Sequence, residues 1–279
     1  MKLKKEYVYP PTGRADSKNR QIWRLIPTDS EKLIIEERNT STKEVFFNCI
    51  DINTGQIIIN DYQFDEKYWI GIESVANDII YFHKFEKPDM PTHSGIIAFD
   101  IRSQKIIWQT QVYSFLFVFE EKIYCYRSTF EGKHFFVLNS YTGEMIEDLG
   151  ENFVQVNSLK EKAFNSFYFE NYIFPEPFNS NDPSIQNFIT DFKKQHTIVG
   201  RIEYINTGDA FLFNFHEVLP DGNLQNRFLA IDIFTKKIIF EEILNSSSKV
   251  FIPDSFFVKE KLLFLLKEKD SLIVCSFNY

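Results

Sequence analysis

Short apolar runs alternate with short polar turns along most of this chain, and that texture predicts strands rather than helices. The runs KLIIEE from Lys32, DIIYFHKF from Asp78, KIYCYR from Lys122, RIEYIN from Arg201 and KLLFLL from Lys261 are all of strand length. Phe115–Phe119 is apolar without interruption, which suits an inner strand covered on both faces.

Four segments share one finer pattern: Cys49–Ile59 (CIDINTGQIII), Ala98–Trp108 (AFDIRSQKIIW), Val137–Ile146 (VLNSYTGEMI) and Ala230–Phe240 (AIDIFTKKIIF). In each, an apolar strand ends in Asp or Asn, a polar turn follows, and a second apolar strand leaves it. The Asp or Asn side chain can accept hydrogen bonds from turn amides, and Gly55 and Gly143 can take positive φ at little cost. The pattern therefore predicts hairpins.

The anchors Asp51, Asp100, Asn139 and Asp232, with Asp191 and Ser276 as weaker members, recur at about 40–50 residues, the period of propeller blades. The expectation is one all-β domain over residues 1–279: a β-propeller of six blades of antiparallel strands. Residues 151–195 fit the period poorly, so five blades with an insertion there is the alternative count. Within that stretch FVQVNS from Phe153 and FYFENYIF from Phe167 read as strands. Asp182-Pro183 could instead open a short helix with Ile185, Phe188 and Ile189 on one face. Thr197–Gly200 would be an outer strand running straight into an inner one at Arg201. At the ends, a spare strand at Lys5–Pro10 precedes the first unit and the last unit lacks its fourth strand. Glu6–Tyr9 is expected to pair with Ser271–Phe277 and close the ring.

Composition sharpens this picture in few places. Thirty-one Phe and 13 Tyr favour packed pleated sheets. A net charge of −8 and a pI near 5.3 argue against nonspecific nucleic-acid binding. No apolar window is long enough for a membrane span, and the first nine residues, MKLKKEYVY, lack the apolar core of a signal peptide. Cys49, Cys125 and Cys275 stand far apart in apolar runs, which predicts reduced, buried thiols and a cytoplasmic protein.

The strand–Asp-x-x-Thr-Gly–strand unit, seen at Ile50–Gly55, Phe99–Ser103 with Trp108, Asn139–Gly143 and Ile231–Thr235 with Phe240, resembles the repeats of PQQ-like (quinoprotein-alcohol-dehydrogenase-like) propellers. The chain also looks like an uncharacterised propeller-like family of the Bacteroidetes, through Phe174-Pro175-Glu176 in mid-chain. The resemblance implies the repeat architecture alone. Those dehydrogenases are exported, larger and often carry an adjacent-cysteine disulfide, so the quinone is not carried over and no cofactor is expected.

Candidate chemistry is sparse. The five histidines, His83, His93, His134, His196 and His216, include no H-x-x-x-H or H-E-x-x-H pair, so no metal is expected. His83 (FHKF) and His216 (FHEV) occupy similar strand positions and are the candidate pocket residues. Carboxylates such as Glu36, Glu37, Glu86, Glu170 and Glu217 lie near strand ends, where a converging pair would suit glycoside cleavage. FPEPFNSND from Phe174 reads as a semi-rigid exposed loop, and Tyr172, Phe174, Glu176 and Phe178 are its candidate binding surface. The functional expectation is a non-catalytic binding or scaffold domain with a protein partner, a small-molecule ligand being admissible. The alternative is a hydrolase acting on a carbohydrate or lactone.

Overall fold

Period-two patterning and β-branched and aromatic residues give strands over most of the chain, as expected. The computed structural model describes residues 2–11, 19–87, 90–166, 172–179 and 183–278. Its first strands are β1 (Lys2–Tyr9), β2 (Gln21–Pro27), β3 (Lys32–Asn39), β4 (Glu44–Asp51), β5 (Ile57–Tyr62), β6 (Ile70–Ala76), β7 (Ile79–Lys87) and β8 (Met90–Asp100). Next come β9 (Lys105–Thr110), β10 (Ser114–Phe119), β11 (Lys122–Ser128), β12 (Lys133–Asn139), β13 (Met145–Gly150) and helix α1 (Phe153–Ser166). Then follow β14 (Tyr172–Ile173), β15 (Glu176–Pro177), helix α2 (Pro183–Gln195), β16 (Ile198–Asn206), β17 (Ala210–Val218) and β18 (Leu224–Asp232). The last are β19 (Ile238–Ser248), β20 (Phe256–Lys259), β21 (Leu262–Lys267) and β22 (Ser271–Asn278).

The chain divides into two compact units. One comprises Met1–Gln21, Asn53–Gly55 and Asn171–Tyr279; the other comprises Ile22–Ile52 and Gln56–Glu170. The first contains two five-stranded sheets, β1-β22-β21-β20-β14 and β15-β16-β17-β18-β19. The second contains the four-stranded sheet β2-β3-β4-β5 and an eight-stranded sheet, β13-β12-β11-β10-β8-β7-β6 with β9 on β8.

This topology corrects the propeller expectation in both its six-bladed and five-bladed forms. Among the described residues there are four separate sheets, of five, eight, five and four strands, each ending in edge strands, and none is closed or strongly curled. Two expected units fuse because β10 joins β8 in parallel at Ser114↔Gly95. The PQQ-like architecture and its regular repeat are thus not supported. The hairpins behind the resemblance are nevertheless real. Asn139 Oδ1 accepts the amides of Tyr141 and Thr142, Asp232 Oδ1 those of Phe234 and Thr235, and Asp100 Oδ2 that of Ser103. Such turn chemistry fixes a hairpin and says nothing about how sheets are arranged.

The pairing of the chain ends is present. Strand β1 runs antiparallel to β22, with Tyr7, Val8 and Tyr9 opposite Val274, Ile273 and Leu272. It extends further than expected, to Lys2↔Asn278. Here it is the edge of a five-stranded sheet rather than the closure of a ring.

The segment around Phe153 is a helix, not a strand. Asn152 caps it, its Oδ1 accepting the Gln155 amide at 3.1 Å, and Val156 and Ala163 bury against Phe117, Phe135 and Leu149. Helix α2 realises the other reading of Pro183, with Ile185, Ile189 and Phe192 packed on Phe213 and Phe215 of β17. Asp191 accordingly lies in a helix and anchors no hairpin, and Ser276 lies within β22. Thr197–Gly200 and Arg201 do not form two strands, because β16 runs through both. The strand expected from Phe167 lies mostly outside the described residues.

Candidate functional site

Each unit carries part of what the sequence singled out. In the first, Tyr172 and Ile173 pair with Lys259 and Val258 at the edge of one sheet. Three residues later, Glu176 and Pro177 pair with Tyr204 and Glu203 at the edge of the other. The Tyr172 ring lies 6.1 Å from Phe257 and 5.2 Å from Lys259 Nζ, and Phe174 lies 5.8 Å from Phe257. Phe178 turns inward to Tyr204 at 5.4 Å and Phe211 at 6.2 Å. Tyr172 and Phe174 thus share a neighbour on one sheet, while Glu176 and Phe178 belong to the other. Ile173 and Phe174 are about half exposed, and Glu176 is exposed.

His216 sits in the same unit, on β17. It is buried, its Nε2 accepts the Ile252 amide at 3.1 Å, and Phe251 lies 5.2 Å from the ring. An Nε2 that accepts leaves the proton on Nδ1. Burial pushes its pKa below the usual imidazole value, so the ring is neutral.

His83 belongs to the second unit. His83 gathers two residues the sequence reading did not select, Glu73 of β6 and His93 of β8. Glu73 Oε1 lies 2.8 Å from His93 Nδ1 and 3.1 Å from His83 Nδ1, the latter outside hydrogen-bond alignment. The two imidazoles stack face to face, centroids 3.5 Å apart and planes 8° from parallel. Phe85 stands edge-on to both, at 5.0 and 5.2 Å.

Strand irregularities aim these side chains. Between Ile72↔Phe82 and Ser74↔Tyr81, Glu73 is the extra residue of a β-bulge. Between Phe82↔Ile97 and Lys84↔Ser94, β8 carries one extra residue opposite His83, and Gly95 there has φ +71°. Such bulges turn side chains out of strict alternation. Gly71, directly opposite His83, makes room for the ring: a Cβ there would stand 3.0 Å from Cε1 and 3.2 Å from Nε2.

Desolvation pushes Glu73 up, but the proximity of the His83 and His93 imidazoles holds it below the usual carboxylate value. His83 is 4% exposed, and neither of its ring nitrogens has a hydrogen-bond partner. The cluster escaped the sequence reading because that reading sought helical ligand spacing. On sheets, ligands meet by register across three strands. A legible hint was the histidine on each arm of the β7–β8 hairpin.

Over residues 26–108, which include Glu73, His83 and His93, the chain matches a domain of unknown function, DUF4905. No curated protein matches it. Among solved structures, KlHsv2 with loop 6CD replaced by a Gly-Ser linker aligns over 88% of this chain and 77% of its own, at 10% identity and a TM-score of 0.31. The apo form of prolyl oligopeptidase B from Galerina marginata aligns over 90% of this chain at 11% identity and a TM-score of 0.30. This chain spans 30% of that protein's length.

Proposed function

We propose that this chain is a non-catalytic binding domain that engages a protein partner through residues 172–178. The observation behind the reading is that a half-exposed apolar pair, Ile173 and Phe174, sits on backbone tied at both ends to sheet edges. Backbone ordered before association avoids an entropic cost that a flexible loop would meet on binding. Aromatic side chains in such settings carry a large share of binding energy. Glu176 beside them, on a chain of net charge −8, favours a partner whose apolar face is bordered by Lys or Arg.

The test places a photoreactive benzoylphenylalanine at position 174 or, as a control, at the exposed Phe234. A discrete cross-linked protein adduct from position 174 alone, abolished by Glu176→Lys, is the expected result. No discrete adduct, or the same adducts from both positions, overturns the reading. The hydrolase alternative draws on the Glu73–His83–His93 cluster, and turnover of lactones or glycosides by the purified chain would replace the binding reading.

A further inference from the structure

We propose that Glu73, His83 and His93 form a binding site for one divalent transition-metal ion, with zinc as the reference ion. The proposal is independent of the partner surface, which lies in the other unit.

The donor set is two imidazole nitrogens and one carboxylate oxygen, all within 4.8 Å of one another. Ligand atoms around a tetrahedral zinc stand roughly 3.4 Å apart, given bonds of about 2.0–2.2 Å. The carboxylate–imidazole separations here, 2.8 and 3.1 Å, are already close to that. Two neutral imidazoles and one carboxylate carry a single negative charge, which suits a dication. The mixture of nitrogen and oxygen selects zinc, cobalt, nickel or iron over calcium and magnesium, which prefer oxygen alone.

The second observation is the state of His83. A buried polar group without a hydrogen bond is destabilising, and here, on a 4%-exposed imidazole, Nε2 has no partner and Nδ1 has only the out-of-line Glu73 Oε1 at 3.1 Å. Glu73 Oε1 cannot serve both histidines equally: it is aligned with His93 Nδ1 and out of line with His83 Nδ1. A cation placed among the three atoms satisfies His83 and Glu73 together.

The fold is built around this meeting point. Two β-bulges and a glycine position the three side chains on adjacent strands, and Phe85 flanks both rings. Three ligands leave a fourth position open to water. His93, its side chain 41% exposed, forms the solvent-facing wall, and His83 forms the buried floor. A metal lies in the plane of the imidazole that binds it, so ligation swings the two rings out of their parallel stack.

Zinc and cobalt titrated into the purified full chain test the site, by calorimetry and by the visible spectrum of the cobalt form. Wild-type protein is expected to take up one ion, with a rise in melting temperature and displaced Nδ1 resonances for two histidines. His93→Ala truncates an accessible ring, and Glu73→Gln is nearly isosteric, so both keep the fold. Each is expected to weaken binding by at least about tenfold, the order of loss seen even for outer-shell residues. His134→Ala, a surface histidine paired with Asp148, is expected to bind as wild type does. The site is refuted if wild-type protein takes up no ion, or if folded His93→Ala and Glu73→Gln bind as tightly as wild type.

Discussion

Tyr9 stands opposite Leu272, so the first described strand is held along the last one. Tyr9 is buried, and Leu3 and Val8 pack beside a core that includes Ile273, Cys275 and Phe277. Deleting residues 1–10 removes that cover and leaves β22 as an apolar edge, the kind of edge that recruits other chains. We expect a loss of at least about 3 kcal/mol in urea unfolding, the scale of truncating a buried aromatic, together with concentration-dependent self-association in light scattering. Deleting residues 1–4 alone should lower stability measurably, because Leu3 and Lys4 already pair with Phe277 and Ser276.

Gly143 lies against the Trp108 indole, and the two explain each other. With φ at +71°, a Cβ at Gly143 would stand 2.6 Å from the ring, whose Nε1 donates to Ser140 O at 3.0 Å. Gly150 has a similar left-handed backbone, φ +58°, with nothing within 4 Å of its would-be Cβ. Gly150→Ala should therefore cost about 1 kcal/mol from backbone strain alone. Gly143→Ala should cost clearly more, and chemical unfolding of the two variants measures the difference. Equal costs would show that the indole yields freely.

That contrast marks how much was legible in the sequence. The Asp/Asn turn and its glycine are local, so Asn139 and Gly143 could be read together, whereas Trp108, which belongs to the preceding hairpin, reaches that turn only through tertiary packing. Whether one hairpin then joins the next is decided by non-local pairing such as Ser114↔Gly95, which no repeat period encodes. Phe153–Val156 reads F-V-Q-V, as a strand should, yet the Asn152 cap and the burial of Val156 and Ala163 on one face make it a helix. The cluster at His83 was half legible. The histidine stood out, but Glu73 reaches it only through a bulge, and a bulge breaks the alternation on which strand reading depends.

The three cysteines supply a chemical check on the cores. All are buried, and desolvation raises Cys49 and Cys125 to about 12 and Cys275 to about 11. The thiolate is the reactive form, and at pH 8 it is roughly one part in a thousand or less of each thiol. Native protein should leave a disulfide reagent unreduced for as long as it stays folded, and all three thiols should react promptly in guanidinium. Fast reaction of one thiol in native buffer would show that its sheet opens locally.

Asp78 gives the pH dependence. Its side chain is 5% exposed and accepts from Ser30 Oγ, from Lys32 Nζ at 2.9 Å and from Arg102 Nε at 3.1 Å. Desolvation alone would raise its pKa, but these three donors outweigh burial and hold it below the ordinary carboxylate value. A depressed folded-state pKa means that the unfolded chain takes up the proton first. The stabilisation is therefore complete above the unfolded value, about 3.9, and fades as pH falls through the lower folded value. Asp78→Asn keeps the shape and removes the charge, and it should cost about 1–3 kcal/mol at pH 7, the scale of hydrogen bonds to a charged group. The difference between variant and parent should shrink steadily as pH drops below 4. Glu73 and Glu217 are also held low and contribute to the same acid limb, but they do so in both proteins and cancel in the comparison. Urea melts of both proteins at several pH values between neutrality and pH 3 measure it. A difference that stays constant over that range would mean that Asp78 acts through its shape and hydrogen bonds, with no contribution from its charge.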